Sequence, residues 1–169
     1  VINLLFIILF SGSFGQADKS EPFEVYIFLH DECIISRYYT RPLRELHETY
    51  GDIAEFIGVF PNPSVNQARL VEFKTKYQVP FRLITDADFR LLDKFGATVT
   101  PEVFVMEVGT GNVLYAGRID NAYARVGKKR TVVTQHELKS VLSRLRSGQA
   151  STIEHQPAIG CIITKSKIE

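Results

Sequence analysis

Two rhythms of hydrophobic and polar positions alternate along this chain. Glu24-Val25-Tyr26-Ile27-Phe28-Leu29 is a β-branched and aromatic run of strand length, which predicts a buried central strand. From Ile35 to Tyr50 the spacing turns helical, with Leu43, Leu46 and Tyr50 on one face and Gly51 as a C-terminal stop. Pro42 falls inside that segment and is expected to kink it. Ile53 to Phe60 reads as a second strand ending at Pro61-Asn62-Pro63, after which Ser64 is expected to cap a helix running to about Tyr77. Phe81 to Thr85 is a short third strand. Asp86 or Asp88 starts a helix through Leu91, Leu92 and Phe95 that stops at Gly96.

The second half pairs Glu102 to Val108 with Asn112 to Ile119 around Gly109-Thr110-Gly111, a glycine-rich hairpin turn. A last helix is predicted from Thr134 to Leu145, with Thr134 and Glu137 in capping-box spacing. Strand and helix thus alternate first, and a hairpin and a helix follow. That order implies a mixed α/β sheet with helices on both faces, and ligand chemistry at the C-terminal ends of its strands.

The first seventeen residues stand apart. Leu4-Leu5-Phe6-Ile7-Ile8-Leu9-Phe10 is apolar, uncharged and too short to span a bilayer, and small residues follow at Gly15 and Ala17. This pattern reads as a secretory signal, so residues 1–17 are expected to be a signal peptide, 18–148 the folded domain and 149–169 a C-terminal tail. An uncleaved anchor or a buried strand is the competing reading of the same run. Export to a periplasmic or other extracytoplasmic compartment, with no membrane attachment after cleavage, would let disulfides persist.

Composition narrows the functional classes. The chain has a net charge of +1 with 23% charged and 45% hydrophobic residues, an ordinary globular balance that gives no bulk-charge reason to expect a nucleic-acid partner. Gly127-Lys128-Lys129-Arg130 is a compact basic run, either a solvated loop or a patch that steers an acidic partner. No Cys-x-x-Cys-His haem site, phosphate-cradling glycine loop or Gly-x-Ser-x-Gly elbow is present, so no cofactor is expected.

The chemistry concentrates on two cysteines, Cys33 and Cys161. Cys33 lies in His30-Asp31-Glu32-Cys33-Ile34-Ile35-Ser36, between the first strand and the first helix. A helix start offers unpaired N-H groups and the positive end of the helix dipole, both of which favour thiolate. Asp31 and Glu32 oppose that effect and Arg37 supports it. An inert buried cysteine fits the same position.

A cysteine between the first strand and a proline-containing helix, with Val99-Thr100-Pro101-Glu102-Val103-Phe104 later, resembles the thioredoxin fold over about Phe23 to Arg146. More narrowly, the chain is similar to exported redoxins of the peroxiredoxin and thiol-disulfide oxidoreductase type. The resemblance implies a three-layer sandwich, a redox role for Cys33, and Thr100-Pro101 as a cis-proline loop facing it. Glu32-Cys33-Ile34-Ile35-Ser36 looks like a variant of the Glu-Cys-Pro-Ile-Ser motif of some exported redoxins, and Gly160-Cys161 resembles their late Gly-Cys. Two signatures are incomplete. Ser36 stands where thioredoxins carry a second cysteine, and Tyr26 and His30 stand where typical peroxiredoxins carry proline and threonine.

With Ser36 unable to resolve a mixed disulfide, Cys161 is the intramolecular candidate. A Cys33-Cys161 bridge is either a permanent staple or one state of a redox cycle. Ser36 is read as a hydrogen-bond donor to a thiolate or a helix cap. His30 is a candidate proton acceptor or a strand-end residue turned elsewhere. A peroxidase reading needs a guanidinium near the sulfur, and Arg118 is the residue nominated, with pairing to Asp120 as its alternative. The expected partners are protein thiols or disulfides, or a small peroxide; the oligomeric state is not readable. A non-catalytic binding module with a structural disulfide is the competing class. Copper delivery is disfavoured because no close cysteine pair exists, so no metal site is expected.

Overall fold

The computed structural model describes residues 21–149 and 154–165. The signal-peptide reading of residues 1–17 lies outside them. The elements run β1 (Phe23–Phe28), α1 (Ile34–Tyr50), β2 (Ala54–Phe60), α2 (Gln67–Lys76), β3 (Arg82–Thr85), α3 (Arg90–Phe95) and β4 (Val99–Thr100) in the first part. They continue with β5 (Glu102–Glu107), β6 (Val113–Gly117), β7 (Tyr123–Arg125), β8 (Lys128–Lys129), α4 (Glu137–Arg146), β9 (Glu154–Gln156) and β10 (Cys161–Ile162).

The main sheet has six strands in the order β3-β2-β1-β5-β6-β9. β1, β2 and β3 are parallel, whereas β5 runs antiparallel to both β1 and β6. Period-two alternation divides the core between the two faces. Val25 and Ile27 of β1, with Val103 and Val105 of β5, pack into a cluster with Leu43 of α1, Phe73 of α2 and Leu142 of α4. Their neighbours Tyr26, Phe28, Phe104 and Met106 face the opposite way, against Leu92 of α3. Helices therefore cover both faces of a mixed sheet, as the strand and helix order implies.

Several boundaries depart from the sequence expectation for local reasons. α2 is capped by Asn66, whose side chain accepts the Arg69 N-H, and not by Ser64. Ser64 is held in the preceding turn, where its own N-H donates to Asn62 Oδ1. α4 begins at Glu137 without the Thr134 capping box, because the buried Asn121 side chain engages both the Thr134 N-H and its hydroxyl. α1 is continuous through Pro42, which leaves the Tyr38 carbonyl without its usual backbone donor.

The tail carries structure that the sequence does not signal. β9 adds to the main sheet beside β6, in parallel, with Gln156 opposite Gly117. The close approach requires that glycine: its φ is +136° and a Cβ there would lie 1.7 Å from the Gln156 carbonyl oxygen. β10 pairs antiparallel with β4, placing Cys161 opposite Thr100 and Ile162 opposite Val99. The basic run forms part of a small antiparallel hairpin of β7 and β8, where Lys129 Nζ sits 3.9 Å from the centre of the Tyr38 ring.

Candidate functional site

β1 ends beneath the start of α1, and Cys33 is the residue that enters the helix. Its φ and ψ of −72° and 118° are extended, as an N-cap residue requires, but no side-chain cap bond is made. Its N-H donates to the His30 carbonyl at 3.2 Å and its carbonyl accepts the Arg37 N-H at 3.0 Å. Cys33 is therefore held on both sides of its side chain, and it is only 4% exposed.

Cys33 and Cys161 form a disulfide, with Cα atoms 6.3 Å apart. The bond joins the start of α1 to β10, the strand laid along β4. Cys33 Sγ lies 3.3 Å from the Thr100 carbonyl oxygen. The next peptide bond, Thr100-Pro101, is cis. Gly160 fits against the same residue: a Cβ there would fall 2.2 Å from the Thr100 oxygen. Ile163 continues the tail's attachment by donating its N-H to the Thr98 carbonyl at 2.9 Å.

Glu102, buried to 5% exposure, shapes this loop from within. Its Oε2 accepts the Thr98 N-H at 2.7 Å and the Val99 N-H at 3.4 Å. The carboxylate thus satisfies donors that β4 leaves unpaired. In the sequence Glu102 follows Thr100-Pro101 at the start of a strand, and nothing in its spacing shows that the side chain folds back on the loop preceding the proline.

The other nominated residues fall in different places. Ser36 is fully buried, and its Oγ accepts the His30 N-H at 3.2 Å, tying the end of β1 to the first turn of α1. His30 Nδ1 accepts the Glu32 N-H at 3.1 Å and lies 3.4 Å from Asp31 Oδ1, while its Nε2 lies 3.3 Å from Asn62 Nδ2. His30, Asn62, Thr100, Ile162 and Ile163 help line a cavity of about 210 Å³ against the tail strand. Arg118 is engaged elsewhere: its guanidinium pairs with Glu137 and donates to Gln135 Oε1 at 2.7 Å. Asp120 is bonded instead to Tyr39, whose hydroxyl donates to it at 2.5 Å. Burial first, and then this bond, hold the Tyr39 phenol far above its ordinary pKa, so it is a fixed donor.

Arg69 is the residue that the sequence does not bring to the site. Its guanidinium pairs with Asp31 and, at 3.1 Å, with Glu32, so one cation from α2 offsets both acids preceding Cys33. Arg37 contributes differently, donating from Nε to the Asp31 carbonyl at 2.7 Å. No spacing rule links position 69 to positions 31 and 32; the packing of α2 beside the start of α1 does.

The surface around the disulfide is uneven. Ile34, the residue after Cys33, is 63% exposed, and Ile162, the residue after Cys161, is 82% exposed. Each disulfide-bonded cysteine is thus followed by a large, exposed apolar side chain.

This arrangement, a cysteine at a helix start beside a sheet and opposite a cis-proline loop, has the thioredoxin-like architecture. A thioredoxin-like protein from Aeropyrum pernix superposes with a TM-score of 0.54 at 18% identity, covering 75% of this chain and 78% of its own. An uncharacterized conserved protein from Geobacillus kaustophilus matches with a TM-score of 0.75 at 20% identity, over 89% of this chain and 81% of its own. A protein from Chlorobium tepidum assigned as a thiol:disulfide interchange protein of the DsbE type gives 0.54 at 14% identity, over 78% and 82%. No protein-family model matches the chain, and no curated protein does. The similarity establishes the fold.

Proposed function

We propose that this chain is an exported thiol-disulfide oxidoreductase whose Cys33-Cys161 pair cycles between disulfide and dithiol, with protein thiols or disulfides as substrates. The observation that carries this reading is the placement of the bond. It joins a helix N-cap cysteine to a peripheral strand, and its Cys33 sulfur lies 3.3 Å from the Thr100 carbonyl. Helix N-H groups favour the Cys33 thiolate, and Arg69 offsets Asp31 and Glu32 beside it. A substrate segment would approach the Thr100-Pro101 loop beside the tail strand, where His30 lines the cavity and the buried Ser36 holds the His30 N-H.

Thiol-disulfide exchange is preferred to peroxide reduction because the Arg118 guanidinium is committed to Glu137 and Gln135. Export rests on the apolar run Leu4 to Phe10 and the small residues after it. Expression with this segment in a secreting host is expected to yield a mature chain beginning close to Asp18.

The deciding assay compares disulfide-reductase activity of the wild type with Cys33→Ser and Cys161→Ser. Loss of at least about tenfold in both variants is expected if both sulfurs take part in exchange. Equal activity in all three proteins would favour the binding module with a structural disulfide.

A further inference from the structure

The two sulfurs of the disulfide are not equally open to a partner. Cys33 is 4% exposed and packs within the main hydrophobic cluster, under the start of α1 and against Thr100. Cys161 is only partly buried against that cluster and sits on a two-residue strand at the periphery, followed by Ile162 at 82% exposure. Attack on a disulfide runs in line with the S-S bond, from the side away from the leaving sulfur, and access decides which sulfur is struck. At 4% exposure within the core cluster, Cys33 offers an incoming thiolate almost no open surface. An approach to Cys161 comes from the tail side.

We infer that an incoming thiolate attacks Cys161, so that the tail carries the mixed disulfide and Cys33 leaves as the thiolate. This rests on the redox reading proposed above and assigns the order of events within it. It also reverses the sequence expectation that Cys33 meets the partner and Cys161 resolves.

The leaving position suits Cys33. It is the N-cap of the 17-residue helix α1, where first-turn N-H groups and the helix dipole favour developing negative charge. The paired Asp31 and Glu32 leave less opposing charge than their sequence position suggests. A lower thiol pKa at the leaving sulfur speeds exchange. Once the bond has opened and Cys33 has taken up a proton, its thiol can donate a hydrogen bond to the Thr100 oxygen, 3.3 Å away.

The balance is closed by a dithiol substrate. Its first thiolate forms a bond to Cys161 Sγ while the Cys33-Cys161 bond breaks and its electron pair goes to Cys33, which takes up a proton. The second substrate thiolate then attacks the substrate sulfur held on Cys161, and Cys161 leaves and is protonated. The substrate is oxidised to a disulfide and the protein is reduced to a dithiol. In the opposite direction the same path begins with the Cys161 thiolate attacking a substrate disulfide, and Cys33 closes the cycle.

The geometry also limits what can replace the tail on β4. Because a Cβ at position 160 would meet the Thr100 oxygen at 2.2 Å, a segment seated in the tail's register needs glycine immediately before its cysteine. A partner without that glycine reacts with Cys161 from outside and does not take its seat.

The test uses the oxidised full-length chain and glutathione as the thiol probe. Samples are quenched in acid at successive early times, free thiols are alkylated, and cysteine-containing peptides are mapped by mass. Glutathione is expected on Cys161, with alkylated Cys33, in about tenfold excess over the opposite pattern. Glutathione found on Cys33 at equal or greater yield would overturn the assignment while leaving the redox reading intact. Absence of any adduct, with the bond also resistant to a strong dithiol under native conditions, would overturn both.

Discussion

The Thr100 carbonyl oxygen lies 3.3 Å from Cys33 Sγ, and Thr100 is also the register partner of Cys161. One residue of the proline loop thus touches both halves of the disulfide, which makes the bond and the tail's seat a single mechanical unit.

Opening that unit is expected to cost stability. The bond closes a sequence separation of 128 residues, for which loop entropy gives an upper value of about 5 kcal/mol, and loss of a native disulfide in small domains costs about 2–5 kcal/mol. Urea unfolding of wild type against Cys161→Ser, under non-reducing conditions, measures this. Identical midpoints would mean that the bond contributes nothing to the resting fold.

Gly160→Ala tests the seat without touching either sulfur. The added Cβ would fall 2.2 Å from the Thr100 oxygen, so β10 must shift away from β4. Overpacking of this kind costs about 1–3 kcal/mol, equivalent to roughly fivefold to more than a hundredfold in the equilibrium between closed disulfide and open dithiol. Titration against defined ratios of reduced and oxidised glutathione should show the variant reduced more readily. An unchanged titration would show that β10 does not help hold the bond closed.

Arg69→Gln removes the cation shared by Asp31 and Glu32. Asp31 is 12% exposed at its side chain, whereas Arg69 is 34% exposed, so solvent takes up part of the loss and about 1–2 kcal/mol of stability is expected to disappear. The two carboxylates then oppose charge on Cys33, and exchange should slow several-fold at neutral pH. A variant that loses stability but keeps the wild-type exchange rate would confine Arg69 to a structural role.

His47 provides a pH-dependent contribution distant from the site. Burial against the rings of Phe56 and Phe81, with centroids 5.5 and 5.9 Å away, pushes its pKa below the ordinary 6.5. Between the lowered folded value and 6.5 the unfolded chain binds more protons, so stability rises with pH there and falls on acidification. Urea midpoints at about pH 7.5 and about pH 5.5 should differ less in His47→Gln than in wild type. Equal acid sensitivity in the two proteins would remove His47 as the cause.

The framework of the fold was legible because its signals are local and strong. Val25 to Phe28 alternate between two core clusters, Leu43, Leu46 and Tyr50 keep a helical face, and Gly96 closes α3 in a left-handed conformation with φ of +70°. The pairing of Cys33 with Cys161 was legible as a possibility because those are the chain's two cysteines. What escaped was set by tertiary placement. Asn66 and His136 begin helices expected from Ser64 and Thr134, since Asn62 and Asn121 engage those residues in preceding turns. β9 and β10 are three and two residues long, too short to show a period, and exist because β6 and β4 offer edges. Arg69 and Glu102 reach the site through side-chain directions that one-dimensional spacing does not encode.

The seating of β9 on Gly117 fixes where Cys161 is anchored when its bond is open. Gln156 is paired in the main sheet without help from the disulfide, and residues 157–160 span the gap to Cys161. A tether that short holds the free thiol near Cys33 at an effective concentration on the order of millimolar or more. Intramolecular closure therefore competes well against any dilute monothiol, and partners that deliver two thiols together have the advantage. In the redox cycle proposed above, the sheet itself, through one glycine contact on β6, would bias which kind of reductant completes the reaction.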